Sequence, residues 1–175
     1  MKKIIAFAGS SSKNSINKQL VTYVASQFEN VASEILDLND YEMPIYSSDR
    51  EKESGIPQLA IAFSEKIGTA DLLVISLAEH NGAYSAAFKN IFDWTSRYNN
   101  KLFQQKPMLL MATSPGPRGA LGVLEMAKDR FPRHDANIVE TFSLPNFQDN
   151  FDPEKGIANE SLKAEMQTLV NGIVF

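Results

Sequence analysis

Residues 3 to 17 read Lys3-Ile4-Ile5-Ala6-Phe7-Ala8-Gly9-Ser10-Ser11-Ser12-Lys13-Asn14-Ser15-Ile16-Asn17, and this stretch decides the fold. Ile4 to Ala8 is apolar without a polar break, the pattern of a strand covered on both faces. The run is too short for the core of a secretory leader. A Ser/Asn-rich turn follows Gly9. Beyond it, Ile16, Leu20, Tyr23, Val24 and Phe28 fall on one helical stripe. Strand, turn and helix in that order open a βαβ unit.

The same alternation continues outward. Ala32 to Leu38, Asp71 to Leu77, Pro107 to Ala112 and Asn137 to Phe142 read as four more strands. Leu59, Phe63 and Ile67 repeat at helical spacing, with Gly68 as the stop. Phe88, Ile91, Phe92 and Thr95 mark a further helix, Gly119 to Arg130 another, and Leu162, Met166, Leu169 and Ile173 stripe the last. Strands alternating with helices predict a three-layer α/β sandwich with a parallel sheet and right-handed crossovers. Five strands suit the flavodoxin-like order 2-1-3-4-5. Asn39 to Ile56 and Ser143 to Asn159 read as long irregular loops, the kind that carry function.

The chain has 175 residues, which predicts one domain over 1–175. It has no cysteine. That excludes a disulfide framework, a thiolate metal site, an iron–sulfur cluster and a cysteine nucleophile. It also suits a reducing, cytoplasmic setting. Lys and Arg number 17 against 21 Asp and Glu, a net charge of −4. That sign argues against nucleic acid as a partner. No apolar run approaches the ~20 residues that cross a bilayer, so no membrane span is expected.

Ligands of an open parallel sheet bind beyond the carboxyl ends of its strands. Three loops leave those ends. The first, Gly9 to Asn17, supplies Ser10, Ser12 and Ser15 hydroxyls, the Asn17 amide and the Lys13 ammonium. It enters a helix at Ile16, whose first N–H groups are free and carry a partial positive charge of ~0.5 e. These features predict an anion seat, most simply for phosphate; a plain turn capped by Ser15 is the other reading. The loop holds one Gly, so it is neither G-x-G-x-x-G nor a Walker sequence. The second loop, Ala78-Glu79-His80-Asn81-Gly82-Ala83-Tyr84-Ser85, contains a strong Asn-Gly turn signal and small residues that leave room for a flat ligand. The third, Thr113-Ser114-Pro115-Gly116-Pro117-Arg118-Gly119, is a shaped turn with two Pro and two Gly. A phosphate seat beside flat-ring room suits FMN. Asp37, near the second strand end, reads as a solvated carboxylate or a ribose-binding acid. His80 and His134 form no metal-ligand spacing.

With these loops the chain resembles the NADPH-dependent FMN reductases, a family that includes NAD(P)H quinone, azo-dye and chromate reductases. The family's first loop, Gly-Ser-x-Arg-x-Gly-Ser-x-Asn, is matched at Gly9, Ser10, Ser15 and Asn17. Its Pro-Glu-Tyr-Asn-Gly and Leu-Lys-Asn-x-x-Asp-Trp segments are matched at Glu79, Asn81, Gly82, Lys89, Asn90, Asp93 and Trp94. Its Ser-x-Gly-x-x-Gly turn is matched at Ser114, Gly116 and Gly119, and Met43-Pro44-Ile45-Tyr46 is similar to its Leu-Pro-x-Tyr segment. Ser12 departs from an arginine, Asn14 from a glycine and His80 from a tyrosine. The resemblance implies FMN as cofactor, NADPH or NADH as donor, ping-pong hydride transfer, and a quinone, azo, flavin or metal-ion acceptor. It implies cofactor contacts at Gly9, Ser10, Ser12, Lys13, Ser15, Ile16, Asn17, Glu79, His80, Asn81, Gly82, Ser114, Pro115, Gly116, Arg118 and Gly119. Chemistry on FMN leaves no side chain as acid or base. Arg118 would face reduced flavin or the nucleotide phosphate, unless it is a solvated loop residue. The resemblance also implies a homodimer, with a tetramer as the alternative. Trp94, Phe92, Tyr98 and Phe103 read as a packing set, part of it available to a dimer interface. A flavodoxin-like electron carrier and a degenerate flavin-binding protein are the competing readings.

Overall fold

The computed structural model describes residues 1–175. Five strands form one parallel sheet: β1 (Lys2–Gly9), β2 (Val31–Leu36), β3 (Leu72–Leu77), β4 (Pro107–Thr113) and β5 (Asn137–Leu144). Their order is β2-β1-β3-β4-β5, as the sequence pattern predicts. Seven helices surround it: α1 (Ile16–Ser26), α2 (Ser48–Ser54), α3 (Gln58–Gly68), α4 (Ala86–Tyr98), α5 (Leu121–Arg130), α6 (Phe147–Asn150) and α7 (Glu160–Gly172).

The unbroken apolar runs have a direct cause. Successive strand residues point to opposite faces, and both faces are covered. Ile5, Phe7, Leu73, Ile75, Met108 and Leu110 bury against α3, α4 and α5. Ile4, Ala6, Leu72, Val74, Leu109 and Met111 bury against α1 and α7. Phe7 is fully buried, with Phe63 of α3 edge-on at 5.4 Å and Phe88 of α4 stacked at 6.1 Å. Each such side chain contributes roughly 1.5–3 kcal/mol by leaving water.

The structure corrects the two long loops. A 3-10 turn at Leu38–Tyr41 runs into Asn39–Ile56, and helix α2 lies within it. Helix α2 reads SDREKES and buries no residue, so it gives no apolar stripe to detect. Ser47 caps it by accepting from Arg50 N at 3.2 Å. Within Ser143–Asn159, β5 runs on to Leu144, one helical turn forms α6, and Phe151–Asp152 pairs with Gly156–Ile157. Boundaries also move: β2 ends at Leu36 rather than Leu38, β3 starts at Leu72 and β4 runs on to Thr113. Helix α1 stops at Ser26, short of Phe28. Helix α5 starts at Leu121, because Gly119 and Ala120 are both left-handed, at φ +55° and +60°.

Candidate functional site

The first loop is folded by its own polar groups. Ser10 Oγ accepts from Ser12 N at 3.2 Å, and Ser15 N donates to Ser12 O at 3.2 Å. Ser15 caps α1, its Oγ accepting from Lys18 N at 3.2 Å. The backbone N–H groups of Lys13, Asn14, Ile16 and Asn17 donate to no protein acceptor. Four unused donors at a helix N-terminus fit an anion with several acceptor oxygens. The Ser15 cap, the other reading of this loop, is present. Gly9 serves the sheet rather than a ligand, since a Cβ there would sit 2.9 Å from Leu77 Cδ2.

Asn17 lies 2% exposed and works as a brace. Its Nδ2 donates to Thr113 O at 3.3 Å, and its Oδ1 accepts from Ser76 Oγ at 2.7 Å and Thr113 N at 3.2 Å. The side chain is fully engaged within the protein. What remains of Asn17 for a ligand is its backbone N–H.

The second loop is a two-residue hairpin. Glu79–His80 pairs with Ala83–Tyr84, and Asn81 and Gly82 turn at φ +52° and +76°. Two left-handed residues in succession match the twist of the strands that they join, which is why Asn-Gly stands there. The hairpin is tied to both neighbouring loops. Ser85 Oγ donates to Gly9 O at 2.7 Å and accepts from Phe88 N at 3.1 Å, capping α4. Glu79 Oε2 accepts from Val123 N at 2.8 Å and so caps α5 from outside, since Ala120 offers no side-chain cap. An anion is stabilised there by the helix dipole. Gly122 leaves the carboxylate room, because a Cβ would lie 2.8 Å from Glu79 Oε2.

The third loop rests on the chain after β5. Asn146 N donates to Gly116 O at 3.0 Å, Phe147 N to Ser114 O at 3.1 Å and Ser143 Oγ to Gly119 O at 2.8 Å. A Cβ at Gly119 would lie 2.9 Å from Pro145 N, so packing and the positive φ both require glycine.

The three loops meet around a cavity of about 210 Å³. Of the expected residues, Ser10, Ser12, Ser15, Ile16, Asn17, Glu79, His80, Ser114 and Pro115 line it. Asn14, Ala78 and Thr113 line it too and were not expected. Gly9, Asn81, Gly82, Gly116, Arg118 and Gly119 shape the loops outside that lining. Lys13 lines a separate groove of about 810 Å³ between α1 and the Phe151–Ile157 ribbon. Lys13 and Arg118 are exposed and form no ion pair. Asp37 is engaged within the protein. Its carboxylate pairs with Lys18 and accepts from Asn39 N at 2.9 Å, and these bonds hold its pKa below the ordinary value.

The matched Asn90 and Trp94 prove to be a clamp. Trp94 Nε1 donates to Pro44 O at 2.7 Å. Asn90 Nδ2 donates to Met43 O at 3.0 Å, and its Oδ1 accepts from Tyr46 N at 2.9 Å. Tyr46 Oη donates to Glu51, which also pairs with Arg97 at 3.0 Å. One face of α4 thereby holds the Met43–Glu51 segment in place. Trp94, Phe92 and Phe103 are buried within the subunit, which leaves only Tyr98 of that aromatic set open to a partner.

The five-stranded parallel sheet covered by helices on both faces defines a flavodoxin-like α/β protein. Comparison narrows it. The model of the NADPH-dependent FMN reductase family matches residues 2–149, and the chain belongs to that family. A 2-hydroxy-1,4-benzoquinone reductase of Burkholderia sp is 34% identical over 119 residues, which are 67% of this chain and 63% of that protein. The quinone reductase of Escherichia coli K12 is 30% identical over 121 residues, 67% of this chain and 62% of that one. The matched region thus spans less than two thirds of either relative. The solved structure of FerB, a flavoenzyme NAD(P)H:(acceptor) oxidoreductase from Paracoccus denitrificans, superposes with a TM-score of 0.76 at 22% identity, covering 98% of this chain and 94% of that one. No helix is long and apolar enough to cross a membrane.

Proposed function

We propose that the protein is an FMN-dependent NAD(P)H oxidoreductase serving a quinone, azo, flavin or metal-ion acceptor. The observation that carries this reading is the set of four unused N–H groups at the first loop, three of them on residues that line the cavity shared with the other two loops. Family membership supports the cofactor, and the names of the relatives support a quinone-type acceptor. FMN, when bound, supplies the redox chemistry: hydride taken from NADPH or NADH, then delivered in ping-pong order to the acceptor.

The chain's own residues bind and orient. The N–H groups of Lys13, Asn14, Ile16 and Asn17, with the Ser10 and Ser12 hydroxyls, hold the phosphate. Serine in place of arginine at position 12 makes this seat rely on backbone dipoles and on α1. The cavity is smaller than the ~300–1,000 Å³ of sites that enclose a whole ligand, so it takes the phosphate end. The His80–Gly82 hairpin and the Ser114–Gly116 turn wall the ring end. Arg118, free of ion pairs, offers positive charge to an electron-rich ligand. Glu79 is the one carboxylate lining the cavity, and its bond to Val123 N occupies it as a cap rather than as an acid or base.

A second cavity, about 310 Å³ and walled by polar and apolar surface in near-equal parts, adjoins Ser11 between Leu38–Ile45 and the start of α4. A carrier that docks only protein partners has no use for such a cavity, which favours the reductase. A cytoplasmic homodimer completes the proposal, with Tyr98 available at 45% exposure. The test is to purify the protein, identify its released pigment, and follow NADPH and NADH oxidation with quinone, azo and ferric acceptors. FMN and acceptor-dependent oxidation are expected. A protein that neither carries FMN nor takes it up contradicts the proposal.

A further inference from the structure

The groove of about 810 Å³ runs along α1, with the Phe151–Ile157 ribbon as its far wall. Asn14 and Ser15 line both this groove and the cavity of the three loops. The groove therefore begins where the first loop ends its hold on a phosphate. Ser15, Gln19, Thr22 and Ser26 line it from α1, and their spacing of three and four residues puts them on one helical face. That face extends ~16 Å along the helix axis. The volume falls within the ~300–1,000 Å³ of sites that enclose a ligand.

The far wall is fixed in place. Asp152 Oδ1 accepts from Glu154 N at 2.8 Å and from Lys155 N at 2.9 Å, which folds the turn of the ribbon. Tyr23 fastens the ribbon to α1: its ring lies edge-on to Phe151 at 5.8 Å and fills the place that a Cβ at Gly156 would take. The lining says what kind of ligand fits. Lys13, Lys18 and Lys155 stand against one carboxylate, Glu154. Lys18 is paired with Asp37, whereas Lys13 and Lys155 are exposed and form no ion pair. Two free cations, far apart in sequence, thus converge on a groove that adjoins a phosphate seat, which suits a second phosphate. Gln19 and Thr22 offer an amide and a hydroxyl to a sugar. Tyr23, ~12 Å beyond Ser15 along the helix, offers aromatic surface to a flat base.

We propose that this groove receives the adenylate half of a flavin dinucleotide whose other phosphate occupies the first loop, so that the protein takes FAD as well as FMN. Lys13 and Lys155 meet the second phosphate, and the adenosine lies along α1 against the ribbon. The inference rests on the first loop as a phosphate seat.

The probes are FMN and FAD, titrated by calorimetry into the flavin-free full chain, a readout that does not depend on turnover. FAD should bind at least as tightly as FMN. Lys155 and Thr22 are exposed, so substitution there leaves the fold intact. Lys155→Gln and Thr22→Glu should each lower FAD affinity about three- to fivefold and leave FMN affinity within about twofold. FAD weaker than FMN in the wild type overturns the inference and leaves FMN as the cofactor. So does an FAD-to-FMN affinity ratio that either variant leaves unmoved, because the adenylate then hangs in solvent. Saturable binding of ADP at micromolar concentration to the FMN-loaded protein gives the groove to the nicotinamide nucleotide and overturns it as well. Failure of both flavins to bind overturns it together with the reading on which it rests.

Discussion

Replacing Asn17 with alanine should destabilise the protein by about 3–4 kcal/mol. The side chain joins α1 to the ends of β3 and β4 through Ser76 and Thr113. Ser76 is 0% exposed and Thr113 1%, so water cannot replace what alanine removes. Each buried group left without a partner costs roughly 1–3 kcal/mol. The Thr113 N–H is fixed and bears the full cost, whereas the Ser76 hydroxyl can rotate and bears part of it. The Thr113 carbonyl adds a smaller share. The sum is a large fraction of the ~5–15 kcal/mol that holds a domain together. Urea unfolding followed by Trp94, the only tryptophan and a buried one, measures it. The midpoint should fall at an unchanged slope. Asn14→Ala, on an exposed loop residue, should stay within about 0.5 kcal/mol. A loss below ~1 kcal/mol in Asn17→Ala would refute the brace, because the orphaned Thr113 N–H alone should reach it.

Other outcomes follow from the same geometry. Trp94→Phe keeps an aromatic ring but loses the five-membered ring of a buried side chain and its 2.7 Å bond to Pro44 O; it should cost about 2–3 kcal/mol and raise protease cleavage within residues 43–51. Gly82→Val meets no neighbour within 4 Å but places a β-branched residue at φ +76°. It should cost about 1–2 kcal/mol and, by reshaping the hairpin, weaken FMN in a fluorescence titration. Hydrogen bonds from Lys66 and then Lys3 hold Glu34 below its usual 4.5, and Lys18 and then Asn39 hold Asp37 below 3.8. A depressed carboxylate stabilises the fold above its unfolded pKa, and that contribution fades as pH falls through the folded one. Stability measured by urea should therefore drop below about pH 4.5, and less steeply in Glu34→Gln and Asp37→Asn.

The sheet was legible because both of its faces are buried. A strand such as Leu72–Leu77 then has no polar residue to blur it. Helix α2 was not legible, because a helix that buries nothing has no period. The loop positions were legible from their order along the chain, but the roles of their side chains were not. Asn17 and Glu79 are polar residues at a site edge that sequence alone assigns to a ligand, and Ser85 carries no sequence signal of its role. The structure shows that their side chains bond Thr113, Val123 and Gly9, all distant in sequence. The free N–H groups of the first loop belong to the backbone and leave no residue-specific mark. Asn90 and Trp94 carried a signal, since they stand four apart on one helical face, but their partners at Met43–Tyr46 could not be read from spacing.

The central claim is that the first loop seats a phosphate, so that FMN is preferred over the same ring without it. The direct measurement is titration of flavin-free protein with FMN and with riboflavin, followed by quenching of flavin fluorescence. Several charge-assisted bonds to phosphate predict FMN binding tighter by about 100-fold or more, with the gap narrowing in Ser12→Ala. Equal affinity for the two flavins would contradict the account.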